Sequence, residues 1–147
     1  MIRNLIILLI VIIASLIFLF MISQKEHALT KLKIGETELE VEISDTLVKQ
    51  VQGLSGRESL CENCGMLFVF GEKRERTFIM RGMKFPLDMI FIREGRVVEI
   101  KANIPYPEAG ESPLSVPSRE EADMVLEVNA GYATTHRIQT GDTIKLD

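Results

Sequence analysis

The sequence predicts a compact, mainly β domain of sandwich- or barrel-like type with one or two short helices, preceded by one N-terminal transmembrane helix. Three observations lead there. Residues 5–22 form an almost unbroken apolar run. Thr37 to Ile43 alternates apolar and acidic side chains, the period of a half-buried strand. Beyond it, short β-patterned runs recur between turns rich in Gly, Pro and Asp, as in a sandwich or barrel-like sheet.

The apolar run reads LIILLIVIIASLIFLFMI, with Ser15 as its one interruption in 18 residues. A helix of that length rises about 27 Å, close to the roughly 30 Å of a hydrocarbon core. Backbone polar groups in lipid must bond to one another, which makes the run helical there. A cleaved signal peptide is the competing reading. Signal cores are shorter, about 7–15 residues, and end in a small-residue cleavage site. Here Ser23-Gln24-Lys25-Glu26-His27-Ala28 follows, without that pattern and without a Cys to accept lipid. Residues 1–24 therefore read as an uncleaved signal-anchor in contact with the bilayer, 25–30 as a tether and 31–147 as the domain. Arg3 before the run is matched by Lys25, Lys31 and Lys33 after it, so charge gives little orientation. A short N-terminal tail stays inside by preference, which puts the domain on the extracytoplasmic side of a cell membrane.

Arg3 is the one charged side chain before Lys25, so the remainder carries 16 Lys+Arg against 21 Asp+Glu, a net of −5. It has no basic run. Nucleic acid is not an expected partner, because phosphate binding needs a clustered positive field.

Along the domain, Lys31–Ile34 and Thr37–Ile43 flank the turn Gly35-Glu36. Ser44 or Asp45 then caps a helix whose apolar residues Leu47, Val48, Val51 and Leu54 share one face, ended by Gly53 and Gly56. Strands follow at Met66–Phe70 and Thr77–Arg81. Another pair, Leu87–Ile92 and Val97–Ile104, flanks the hairpin signal Glu94-Gly95. Residues 105–119, with four prolines, read as a long loop, either a rigid connection or a binding element. Asp123–Val128 is a late strand with Met124, Leu126 and Val128 on one face. A helical turn runs to about His136, and Thr143–Leu146 closes the chain.

Four pieces follow one another in order: Gly65-Met66-Leu67-Phe68; Phe78-Ile79-Met80-Arg81-Gly82-Met83-Lys84-Phe85-Pro86-Leu87-Asp88; Val125-Leu126-Glu127-Val128-Asn129-Ala130-Gly131; and Gly141-Asp142. Together they resemble the DUF192 family, also called UPF0127, over roughly residues 31–147. The resemblance implies a jelly-roll-like or barrel-like β fold and relatives that are exported or anchored by an N-terminal segment. It implies no activity. Many relatives carry a Trp before the Met-Lys pair, where this chain has Ile79-Met80-Arg81.

Three groups of residues offer chemistry. Cys61-Glu62-Asn63-Cys64 is a C-x-x-C pair holding both cysteines. A redox dithiol would sit at a helix N-terminus in a thioredoxin-like setting, whereas this pair precedes Gly65 and a strand. A zinc site needs about four ligands, and His27 and His136 are the sole imidazoles. A local disulfide or two free thiols remain. Met66, Met80, Met83 and Met89 supply thioethers, which suit Cu(I) but also fill irregular cores. On a strand, positions 80 and 83 face opposite ways unless Gly82 bends the chain.

The third group is the candidate ligand site: Arg57, Met80, Arg81, Lys84, Asp88, Glu127 and Asn129. If the sheet closes, these residues meet at one mouth suited to a small anionic or hydroxylated ligand. The structural alternative is that Asp88 and Glu127 pair with Arg81 or Arg57 to tie strands together. Catalysis finds no support: Ser55 lacks the strand–turn–helix setting of a nucleophile elbow, His136 has no acidic neighbour in sequence, and no cofactor motif is present. The expected function is a non-enzymatic binding or accessory module. The alternative is a soft-metal or thiol-redox protein built on Cys61, Cys64 and nearby Met sulfurs.

Overall fold

The computed structural model describes residues 11–15 and 29–147. Residues 11–15 are helical. The rest of the 5–22 span lies outside the described residues, and no helix within them is long and apolar enough to cross a membrane.

The domain contains β1 (Leu29–Ile34), β2 (Thr37–Ser44), α1 (Leu47–Gln52), β3 (Cys64–Arg74), β4 (Thr77–Ile79), β5 (Leu87–Arg93), β6 (Arg96–Ile104), β7 (Ser115–Pro117), β8 (Ala122–Asn129), α2 (Tyr132–Thr135) and β9 (Ile144–Leu146). Seven strands form one sheet in the order β6-β5-β8-β3-β2-β1-β9, while β4 and β7 pair apart from it. Within the large sheet, β2 and β3 run parallel, joined through α1; the other neighbours are antiparallel.

The sheet curls into a half-barrel whose two edges meet at one end. Arg96, at the start of β6, bridges Thr143, just before β9. Val97 N–H donates to Asp142 O at 2.9 Å and Ile144 N–H to Gly95 O at 2.9 Å. Joining the edges there removes exposed strand backbone that would otherwise invite pairing with another chain.

The central strands are buried on both faces, by the curl of the sheet on one side and by the β4–β7 pair and its neighbours on the other. Leu67, Ile90, Ile92, Leu126 and Val128 point inward with Leu32, Ile34, Leu39 and Val41, and Tyr132, Ala133 and Ile138 close that core. Met66, Phe68, Met89, Phe91 and Val125 point the other way, into a second core with Leu54, Met80, Met83 and Val116. This explains why Met89–Ile92 of β5 is an unbroken apolar run, whereas β2 alternates.

Several expectations need correction. β1 begins at Leu29, two residues before the expected start of the domain at 31. Thr46, and neither Ser44 nor Asp45, caps α1: its Oγ1 accepts from Lys49 N–H at 3.4 Å, while Asp45 pairs with Lys49 Nζ at 2.8 Å. The shared apolar face of that helix is not buried. Leu54, beyond the helix, is buried, but Leu47, Val48 and Val51 are 76%, 77% and 77% exposed. The 105–119 loop contains β7, which pairs Val116 with Phe78 and closes the second core. Met80 and Met83 reach the same core because Gly82 turns the chain at φ +63°, beyond the end of β4.

Candidate functional site

A cavity of about 580 Å³ opens where α1, the segment from Arg74 to Met83, and the outer face of the sheet meet. Its walls include Phe68, Phe70 and Phe78, and these rings pack closely. Phe78 meets Phe68 edge-on at 5.1 Å and Phe70 at 6.4 Å, with Phe68 and Phe70 stacked at 6.5 Å. Such pairs add about 0.5–1.5 kcal/mol each beyond burial, which makes the wall firm.

Glu127 lies in the floor. It sits in mid-β8, directly opposite Met66 on β3 and Met89 on β5. It is 5% exposed and has no hydrogen-bond or ion-pair partner among the described residues. With apolar neighbours on both sides and no cation to hold its charge, burial pushes its carboxyl up to about 8. At neutral pH it is therefore mainly the neutral acid, able to donate one hydrogen bond and accept others.

The expected seven-residue mouth divides. Met80, Arg81 and Glu127 line the cavity. The Arg81 side chain is exposed and has no ion-pair partner among the described residues, while its carbonyl accepts from Ser55 Oγ at 2.8 Å. The other four lie outside the cavity lining. Arg57 grips Glu42 through both guanidinium ends, with Nη2 to Oε2 at 2.8 Å, and this partner raises its pKa. Lys84 pairs with Glu58. Asp88 is fully buried and accepts from the N–H groups of Asn103, Gly131 and Ala133 at 2.7, 3.0 and 2.9 Å. Asn129 Nδ2 donates to Cys61 O at 2.9 Å. The anticipated pairing of Asp88 and Glu127 with Arg81 or Arg57 does not occur.

Cys61 and Cys64 form a disulfide, with Cα atoms 5.2 Å apart. Asn129 and Tyr132 dock this loop, the latter through its hydroxyl to Asn63 Oδ1 at 2.6 Å. Both thiols are thus committed and outside the cavity lining, which removes the thiolates from the soft-metal reading. Met66, Met80, Met83 and Met89 all sit in the second core. Among the described residues no group of three or more His, Cys, Asp or Glu side chains converges on a metal position.

Sequence reasoning missed Arg76. It is 5% exposed, its guanidinium lies 3.9 Å above the Phe70 ring, and its Nε donates to Ala122 O at 3.1 Å. Burial lowers its pKa. In sequence it belongs to Glu72-Lys73-Arg74-Glu75-Arg76, which reads as a solvated turn. Nothing in that run separates the buried cation from its exposed neighbours.

The DUF192 family model, described as "Uncharacterized ACR", matches residues 30–146. The chain belongs to the DUF192 family. Among solved structures, a proposed transcription regulator from Sinorhizobium meliloti 1021 is 31% identical, with a TM-score of 0.73; the match covers 82% of this chain and 95% of that one. A protein of unknown function from Novosphingobium aromaticivorans DSM 12444 is 29% identical, with a TM-score of 0.72, over 80% of this chain and 84% of that one. No curated protein matches the chain. For DUF192, these likenesses carry the β fold from structure to structure. They assign no ligand to the cavity over Glu127.

Proposed function

We propose that this DUF192 chain is a membrane-anchored, extracytoplasmic and non-enzymatic module that binds a small ligand in the cavity over Glu127. The carrying observation is the Glu127 carboxyl itself: buried, without a protein partner among the described residues, and in the floor of a 580 Å³ cavity. An unpartnered buried acid costs stability, on the order of 1–3 kcal/mol, unless something that visits the site satisfies it. The phenylalanine wall supplies apolar contact, the neutral acid supplies one directional hydrogen bond, and Arg81 adds positive charge at the rim. That set suits a small ligand with hydroxyl groups and an anionic end.

The 5–22 run supports the anchor, and the Cys61–Cys64 disulfide supports an oxidising compartment outside the cytoplasm. The transcriptional role named for the Sinorhizobium protein is not carried over, because the charge past residue 24 is net −5 and no basic run gathers on it.

Native mass spectrometry of the full chain released from membranes tests the reading. The wild type is expected to carry an added small-molecule mass, and Glu127→Leu to lose it. Bare masses for both proteins overturn the proposal.

A further inference from the structure

Helix α1 is inside out. Its polar residues reach back to the sheet: Lys49 Nζ donates to Ile43 O at 3.2 Å, and Gln50 Nε2 to Val69 O at 2.8 Å. Leu47, Val48 and Val51 are left facing outward, each more than three-quarters exposed. An amphipathic helix in water normally turns such a stripe to the core. Here the stripe is held away from it by the polar contacts on the opposite side.

The position of this face in the chain says what it meets. β1 begins at Leu29, which is half exposed and pairs with Glu42, five residues before Leu47. The polypeptide arriving from the apolar run 5–22 thus joins the domain at the end of the β1–β2 hairpin where α1 stands. Six residues, 23–28, separate the run from Leu29. Fully extended they reach at most about 20 Å, and roughly 5–8 Å of that is taken up by the headgroup zone. The Gly35-Glu36 turn, at the far end of β1, lies about 17 Å farther along the strand. The anchor therefore brings the α1 end of the hairpin, and not the turn end, to the lipid surface. Val51 and the half-exposed Ile79 also line the cavity, so its rim continues the same apolar surface.

We propose that α1 docks on the lipid bilayer, with Leu47, Val48 and Val51 entering the interfacial zone, so that the Glu127 cavity opens beside the membrane. The contact is apolar rather than electrostatic, because Lys49, the cation of this helix, is already paired with Asp45. Three small side chains bind a membrane weakly on their own. Tethering makes the step intramolecular, and a weak contact then suffices. The proposal rests on the anchor reading, and its test separates the two.

The chain contains no Trp, so a single introduced Trp reports alone. Val48→Trp is placed in the full chain and reconstituted into phosphatidylcholine vesicles, with Glu36→Trp, at the turn end of the hairpin, as the companion. Emission from Val48→Trp is expected to shift to the blue and to lose most of its intensity when the acyl chains are brominated, while Glu36→Trp keeps its emission. Adding Leu47→Glu is expected to restore most of the lost intensity. Flotation of the same samples reads the anchor. A chain that fails to float overturns the anchor reading and the docking with it. A floating chain whose Val48→Trp emission is unquenched overturns the docking alone, and does so equally if the emission is blue-shifted, since the face is then covered by protein.

Discussion

Asp88 Oδ2 accepts a hydrogen bond from the N–H of Ala133 at 2.9 Å, and this contact ties the start of β5 to α2. The other oxygen of the same carboxylate takes the N–H groups of Gly131 and Asn103. Those donors come from α2 and its cap and from the end of β6, so one fully buried side chain on β5 joins three segments, its own strand included. Asp88→Ala would leave all three amides without that acceptor. The expected loss is about 3–5 kcal/mol, with Asp88→Asn costing about 1–3 kcal/mol, read by chemical denaturation. A change below about 0.5 kcal/mol for Asp88→Ala would mean that this carboxylate does not hold the three segments together.

Glu127 makes stability depend on pH in the direction opposite to an ordinary paired carboxylate. Its folded pKa is raised from 4.5 to about 8. Between those values the folded protein holds a proton that the unfolded chain has released. Stability is therefore full below about pH 4.5, falls as pH rises towards 8 and levels off above it. The slope from this residue is at most about 1.4 kcal/mol per pH unit. Glu127→Gln, which keeps the shape without the titration, is expected to flatten that limb and to be more stable than wild type near pH 8. Parallel slopes for the two proteins would place the Glu127 proton elsewhere.

The alternation of Leu39 and Val41 with glutamates marks β2 because the strand has one wet face of polar residues to contrast with its apolar one. The continuous run of β5 and the turn at Glu94-Gly95 mark the β5–β6 hairpin equally well. What local pattern does not encode is the partner of each face. Periodicity correctly groups Leu47, Val48 and Val51 on one side of α1, yet that side faces out, because Lys49 and Gln50 find carbonyl acceptors on the sheet. β7 is hidden by its own Pro117 and becomes a strand through pairing with distant Phe78. The site shows the same limit. Glu127, Met80 and Arg81 are recognisable as chemically interesting, but the burial that raises the Glu127 pKa comes from strands about 40 and 60 residues earlier, through Met89 and Met66.

The Cys61–Cys64 disulfide closes a loop of four residues. A cross-link of that span restricts the unfolded chain little, by about 2 kcal/mol. Cys61→Ser/Cys64→Ser is expected to lower stability by about that amount. Because neither cysteine lines the cavity, the fraction of chain carrying the proposed ligand, measured by native mass spectrometry below the unfolding temperature, should stay unchanged. Loss of ligand in a still-folded variant would join the disulfide loop to the site.

Gly65 lies in β3 between β2 and β8, opposite Val128. A Cβ there would stand 2.9 Å from the carbonyl oxygen of Glu127 and 2.9 Å from Leu126 Cδ1. The first neighbour is backbone in the centre of the sheet and cannot swing aside, so β3 and β8 must separate. Gly65→Ala is therefore expected to cost about 1–3 kcal/mol, the usual range for overpacking. The strand that must move is the one that presents Glu127 to the cavity, so ligand occupancy should fall as well, even where the variant remains folded. Gly71, in the same strand but with open space around its Cβ position, provides the control, and Gly71→Ala should leave both stability and occupancy near wild type. Equal effects at the two glycines would mean that backbone freedom, rather than the close approach to Glu127, sets the requirement at position 65.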